Sequence, residues 1–275
     1  MTTHPPAGPS TSGLEPHEAR QVAESFGVDA ERYDRTRPRY PDAMVAAIVA
    51  TSPGPSFLDV GIGTGIAARQ FQQAGCTVLG VEPDERMADF ARRTGIEVEV
   101  STFEAWDPRD RRFDAVVAGQ AWHWVDPIAG AARAAAVLRP GGRLAVFWNA
   151  SEPPRALSEA FGEVYRRVLP DSPIAAQPAT SAAQGYTSLG EKATDGLRQA
   201  GGFGELEQWQ FTWRQSYTRD EWLAQLPTSG LLTRLPADVL EQLLTGIGAA
   251  IDAVGGSFVN HFTTVVTTAV REGGE

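Results

Sequence analysis

The chain has 275 residues, 42% hydrophobic and 21% charged, the make-up of an ordinary globular protein with enough apolar material for a sizeable core. Lys and Arg number 24 against 34 Asp and Glu, a formal charge of -10 with no basic block, which argues against binding a nucleic-acid backbone. The single Cys76 excludes an internal disulfide, no apolar run is long enough for a bilayer and no leader pattern is visible at the start, so a cytoplasmic location is expected.

Residues 1–18 are expected to form a disordered tail, because Met1 to Gly13 is almost wholly Thr, Pro, Gly, Ser and Ala and cannot repay the entropy of ordering. A helical pattern runs from about Ala19 through Phe26, is interrupted by Tyr33-Asp34-Arg35-Thr36-Arg37-Pro38-Arg39-Tyr40-Pro41, and resumes through Met44, Ile48 and Val49. Pro38 and Pro41 force an extended stretch between the two helices. From Pro55 onward strands at 57–61, 77–81, 96–100, 113–118 and 143–148 alternate with helices at 66–74, 85–94 and 127–138. Such alternation predicts a parallel sheet covered on both faces. Asp126 before Pro127 reads as a helix N-cap. Further on, the pattern predicts a helix over 156–169, a strand over 206–213, helices over 219–226 and 237–254, and a final strand from 258 to about 270. Pro170 to Ala183, rich in Pro, Ala, Ser and Gln, reads as a mobile loop over the site. The expected organisation is one α/β domain over 19–275: a core at 53–150, completed by strands near 203–213 and 257–271, with a cap from 19–52, 151–202 and 214–256.

The most informative run is Phe57-Leu58-Asp59-Val60-Gly61-Ile62-Gly63-Thr64-Gly65, an apolar strand entering a turn with glycine at every second position, with Glu82 closing the next strand. Glycine lets a backbone approach a ligand closely, and a carboxylate at the end of the second strand can accept both hydroxyls of a ribose. A dinucleotide fingerprint would need glycine at position 66, which is Ile66, so a nicotinamide oxidoreductase is disfavoured. The turn also lacks the Lys-Ser or Lys-Thr of a phosphate-cradling loop. The run resembles the first motif of the Rossmann-like S-adenosylmethionine-dependent methyltransferases. The segments Tyr33 to Pro41, Phe103-Glu104-Ala105-Trp106 and Gln120-Ala121-Trp122-His123-Trp124 look like those of small-molecule enzymes similar to trans-aconitate methyltransferase, and the turn Leu138-Arg139-Pro140-Gly141-Gly142 is common to the superfamily.

The resemblance implies a doubly wound, mostly parallel seven-stranded sheet with an antiparallel last strand and a helical cap. It implies that Asp59, Gly61, Gly63, Thr64 and Gly65 hold the methionine part of the cofactor, that Glu82 takes the ribose, and that Pro83 and Met87 pack on the adenine. Many members place an Asp at the end of the third strand. Here Thr102 and Phe103 stand at that edge and must substitute. Gln120 and Ala121 would lie beside the sulfonium, and Arg37 with Tyr40, in the entrance segment, could clamp the cofactor's carboxylate.

Methyl transfer from a sulfonium is an in-line displacement, so the protein chiefly aligns the reactants and excludes water. A base helps only an acceptor that must lose a proton. His123 is the one candidate base at the cofactor edge, with Trp122 and Trp124 as walls of a dry pocket; the competing reading is a packed structural imidazole. Tyr33 and Asn149 are further pocket candidates. Arg166, Arg167 and Arg214 either meet an acidic substrate or are solvated, and His261 is expected to be core or surface. No carboxylate constellation for a metal is present. The expected activity is methyl transfer to a small molecule at oxygen; the alternatives are an N- or C-methyltransferase of the same build, or a cofactor-binding protein without catalysis.

Overall fold

The computed structural model describes residues 24–172 and 182–273. The expected tail at 1–18, the start of the first helical pattern at 19–23 and most of the expected loop, at 173–181, lie outside the described residues.

Seven strands form one sheet: β1 (Ser56–Val60), β2 (Thr77–Glu82), β3 (Glu97–Val100), β4 (Phe113–Gly119), β5 (Leu138–Glu152), β6 (Phe203–Thr218) and β7 (Ser257–Arg271). Their order is β3-β2-β1-β4-β5-β7-β6. The first five run parallel, and β7 is antiparallel to both β5 and β6. The helices are α1 (Ala30–Thr36), α2 (Asp42–Ala50), α3 (Ile66–Gln73), α4 (Glu85–Arg93), α5 (Pro127–Val137), α6 (Arg155–Val168), α7 (Ala182–Ala200), α8 (Arg219–Gln225) and α9 (Ala237–Asp252).

Successive strand residues face opposite sides, and both sides are buried, which is why β1 and β4 read as nearly continuous apolar runs. Phe57, Val117 and Phe147 meet Met44 and Ile48 of α2 and Phe71 of α3 on one face. Leu58, Val116 and Trp148 meet Ala134 of α5 and Leu197 of α7 on the other. The cap has a separate apolar cluster, in which Phe161 of α6, Trp222 of α8 and Ile247 of α9 pack on Tyr217 and Phe262 at the far ends of β6 and β7. Thr218 and Glu221 form a capping box that starts α8 as the chain leaves β6.

The expected alternation is present with boundaries shifted by at most two residues, except that the strand expected at 143–148 runs from Leu138 to Glu152 and takes in the Arg139 to Gly142 turn, and Asp126 caps α5 by accepting from the Ile128 and Ala129 N–H groups. Three other expectations change. Tyr33 to Thr36 is helical, inside α1, whose N-cap Asp29 accepts from the Arg32 N–H at 2.9 Å. The strand expected at 206–213 runs from Phe203 to Thr218, because its pairing with β7 continues to Thr218 opposite Ser257, beyond the apolar part of the run. The region assigned to the cap includes two elements that cover the sheet instead, α2 and α7. No helix was assigned within 184–200, where α7 lies with Gly190 and Gly196 in its interior. Those glycines are there for packing: a Cβ at Gly196 would meet the Pro127 carbonyl oxygen at 2.4 Å, and one at Gly190 the Thr267 Oγ1 at 3.1 Å.

Candidate functional site

The strand order reverses direction between β1 and β4, and a cleft of about 880 Å³, open to solvent, lies at the C-terminal ends of β1, β2 and β4. This is the crevice in which open α/β sheets bind ligands. A smaller hollow of about 350 Å³ adjoins it, sharing Tyr33, Gly61, Gly63 and Gly119.

The turn after β1 shapes the boundary between the two. Gly61 and Gly63 have φ of 63° and 57°, in the left-handed region that favours glycine. A Cβ on Gly61 would strike that of Ala121 at 2.6 Å, whereas one on Gly63 would have only Met87 Cε near it, at 3.9 Å, and would project into the cleft. The Gly63 N–H donates to Glu82 Oε2 at 2.8 Å and the Asp84 N–H to Oε1 at 3.0 Å. Glu82 is thereby held at the cleft wall. Burial raises its pKa to about 7, against the lowering effect of those two N–H groups.

Asp59 is 1% exposed, and burial followed by the nearby Glu82 charge pushes its pKa well above the usual carboxylate range. Among the described residues its Oδ2 has no hydrogen-bond partner, and neither has Thr64 Oγ1. Both residues line the smaller hollow. Buried oxygens of this kind are costly unless something donates to them, and a ligand ammonium has the matching chemistry.

Pro83, Met87, Thr102, Phe103, Gln120 and Ala121 also border the main cleft. Phe103 is 3% exposed, with its ring against Trp106 and Trp122. Thr102 Oγ1 accepts from the Ala105 N–H at 3.3 Å. Gln120 has a φ of 56°, rare for a residue with a side chain, and its N–H donates to the Phe147 carbonyl at 2.8 Å. Tyr40 lines the hollow with its ring edge-on to Phe147. Glu104, Val60, Val81 and Val125 line the main cleft as well, although nothing in their residue types singled them out.

Five expected residues are placed elsewhere. Gly65 lies beyond the turn, where a Cβ would meet Ile96 Cδ1 at 2.4 Å. The expected pair of tryptophan walls is split: Trp124 borders the cleft, but Trp122 is 2% exposed in the core. The two lie in a 3₁₀ turn, where each residue advances about 120°, so positions two apart cannot share a face. His123 lines neither cavity, and its Nδ1 accepts from Trp148 Nε1 at 3.2 Å. An indole can only donate, so the imidazole proton is on Nε2 at neutral pH, and burial lowers the His123 pKa to about 4. Neither nitrogen is then ready to take a proton from an acceptor. Asn149 is consumed structurally, its Nδ2 donating to the Arg39 carbonyl at 3.1 Å and its Oδ1 accepting from Thr264 Oγ1 at 2.6 Å. Arg37 turns into the cap, where Nη2 donates to the Thr228 carbonyl and the guanidinium lies over the Tyr33 ring at 4.9 Å. Arg166, Arg167, Arg214 and His261 are exposed, and Cys76 is buried. Among the described residues no group of three or more His, Cys, Asp or Glu is arranged to hold a metal, and no helix is long and apolar enough to cross a membrane.

Residues 58–146 match the methyltransferase domain family. An uncharacterized methyltransferase of Mycobacterium tuberculosis is 34% identical over 150 residues, 54% of this chain and 61% of the relative, so the match spans less than two thirds of that protein's length. A demethylmenaquinone methyltransferase of a Mycobacterium species is 27% identical over 200 residues, covering 70% of this chain and 84% of the relative. Among solved structures, one from Anaeromyxobacter dehalogenans assigned to the type II methyltransferases superposes with a TM-score of 0.64 at 22% identity, covering 85% of this chain and 97% of that one.

Proposed function

We propose that the chain, whose residues 58–146 match the methyltransferase domain family, transfers a methyl group from S-adenosylmethionine to a small-molecule acceptor, at oxygen. The observation that supports it best is the continuity of the cleft from the Glu82 carboxyl to the open side of Gly63 and on to the unpartnered Asp59 and Thr64 oxygens. A nucleoside carrying an amino-acid tail has the complementary groups in that order.

S-adenosylmethionine, when bound, supplies a methyl group already activated by its sulfonium leaving group. The protein's share is to bind, orient and dry the reactants. Glu82 accepts from both ribose hydroxyls, Pro83 and Met87 pack on the adenine, and Thr102 and Phe103 border it. Asp59 and Thr64 take the methionine ammonium beside Tyr40. Gly61, Gln120 and Ala121 permit close approach on the sulfonium side, with Tyr33 and Trp124 excluding water. Bound there, the sulfonium would supply a leaving group that keeps its bonding pair, and these residues would hold an acceptor oxygen in line with the methyl carbon. An acceptor that is already ionised needs no base, which agrees with an imidazole at His123 committed to Trp148. The net charge of -10 supports a partner that is neither nucleic acid nor an anionic surface, and a cytoplasmic location belongs to the same reading.

Calorimetric titration with S-adenosylhomocysteine should show saturable one-site binding, and incubation with S-adenosylmethionine and a panel of acids, phenols and amines should yield an O-methylated product by mass spectrometry. Absence of binding overturns the cofactor assignment. Methylation only at nitrogen or carbon overturns the choice of oxygen.

A further inference from the structure

Four side-chain N–H or O–H groups in and beside the cap have no hydrogen-bond partner among the described residues: Arg37 Nε, the Tyr217 hydroxyl, Trp222 Nε1 and Gln225 Nε2. Tyr217, Trp222 and Gln225 are each more than nine-tenths buried. Buried donors are normally satisfied, and a cluster of them left without acceptors indicates a missing electron-rich partner.

The four groups belong to one neighbourhood. The Tyr217 and Trp222 rings stand edge to face with centroids 5.2 Å apart. Trp222 and Gln225 are three residues apart on α8 and share its face. Arg37 joins them through Thr228, whose carbonyl accepts from its Nη2 and whose hydroxyl donates to the Gln225 carbonyl at 2.7 Å. The Arg37 charge is also felt at the Tyr217 hydroxyl, where it works against the burial that raises that pKa to about 12, so the hydroxyl keeps its proton. Glu221, the carboxylate facing Tyr217, is taken up by the Thr218 N–H and hydroxyl.

Arg37 itself is partly buried and makes no ion pair among the described residues. A cation in that state is unfavourable unless a counter-charge arrives. It borders neither cavity in which the cofactor is placed, yet the Tyr33 ring that carries its guanidinium lines both.

We infer that Arg37, Tyr217 and Gln225 anchor a carboxylate on the methyl acceptor, Arg37 as counter-charge and the other two as hydrogen-bond donors. The inference rests on the methyltransferase reading, and names the acceptor as a small carboxylic acid whose body passes Tyr33 on its way to the cofactor cleft. One guanidinium matches one negative charge, which favours a carboxylate over a phosphate dianion.

The test is binding of a series from acetate and butyrate to benzoate and phenylacetate, each beside its primary amide, measured by calorimetry with and without saturating S-adenosylhomocysteine. At least one acid should bind, its amide at least tenfold more weakly. Arg37→Gln should lower acid affinity at least tenfold, Arg37→Lys should restore part of it, and Tyr217→Phe should lower it several-fold, while S-adenosylhomocysteine affinity and the melting temperature stay near wild type. No binding by any acid, equal binding of acid and amide, or an equal loss of S-adenosylhomocysteine affinity in Arg37→Gln would each overturn the inference, the last by returning Arg37 to the cofactor's own carboxylate. Failure of S-adenosylhomocysteine to bind the wild type, with acid binding intact and dependent on Arg37, would sink the cofactor reading and leave the carboxylate anchor standing.

Discussion

The turn after β1 and the segment after β4 face each other across one cleft and are built in opposite ways. The first is backbone: Gly61 and Gly63 hold conformations that side chains resist, and Gly63 presents an N–H to Glu82. The second is side chains: Gln120, then Trp122, His123 and Trp124 in a single 3₁₀ turn that sends each a different way. A site made of backbone depends on which residues are absent from it. A site made of side chains depends on rotations that a few degrees of chain path decide.

The contrast breaks hardest at Gly63. In Gly63→Val a β-branched residue would have to hold a positive φ while its methyls enter the cleft. S-adenosylhomocysteine affinity should fall by a hundredfold or more in calorimetry, with the far-ultraviolet circular dichroism unchanged. Normal binding would mean that the turn does not touch the cofactor.

Glu82 should come next, because it holds the turn and, in the proposed site, the ribose as well. Losing charge-assisted bonds worth ~1.5–3 kcal/mol each predicts on the order of ten- to a hundredfold weaker binding, or more, for Glu82→Ala. Part of that loss would come from the released Gly63 and Asp84 N–H groups. Glu82→Gln, which keeps an acceptor oxygen but no charge, should fall between the two proteins. Unchanged affinity in a folded Glu82→Ala protein would remove the ribose assignment.

The raised pKa of Glu82 adds a pH dependence of known sign. The ionised form is the one that accepts two hydroxyls, so binding favours proton release. Affinity should be flat above about pH 7 and fall below it, by at most about tenfold per pH unit. The slope should vanish in Glu82→Gln. A wild-type profile that is level from pH 5 to 8 would show that Glu82 does not change protonation on binding.

These same residues were legible in the sequence because residue type and spacing alone state the constraint. Asp59, the alternate glycines and Glu82 are read at fixed distances from strand ends, and periodicity places those ends. The sheet was legible for a related reason, since two-sided burial leaves unbroken apolar runs. What escaped depends on tertiary packing. Gly190 and Gly196 inside α7 are accounted for only by Thr267 and Pro127 packed against them, contacts that no sequence pattern states. The polar outer face of β6 hid the strand's length. Arg37 pointed to the cofactor by its neighbourhood in sequence, but a carbonyl at Thr228, 191 residues away, decides its direction.

The smallest effect belongs to His123, which sequence order places at the cleft and the fold ties to Trp148. His123→Gln retains an acceptor for the indole N–H, so turnover should change by less than about threefold, where removal of a working base costs about 10²–10⁴-fold. At saturating S-adenosylmethionine, where the titration of Glu82 near 7 no longer limits binding, the pH–rate profile of the wild type should lack an inflection at the ordinary imidazole pKa. Stability should carry the signature instead. The folded pKa of about 4 lies below the unfolded value of 6.5, so between those limits the unfolded chain binds more protons. The stability of the wild type should therefore be intact above pH 6.5 and decline as pH falls to 4, by up to about 3 kcal/mol. His123→Gln should lose less over that range in urea titrations at stepped pH. A variant with the full acid sensitivity would show that other groups cause it, and a hundredfold fall in turnover would return His123 to the chemistry and make the segment after β4 a catalytic wall.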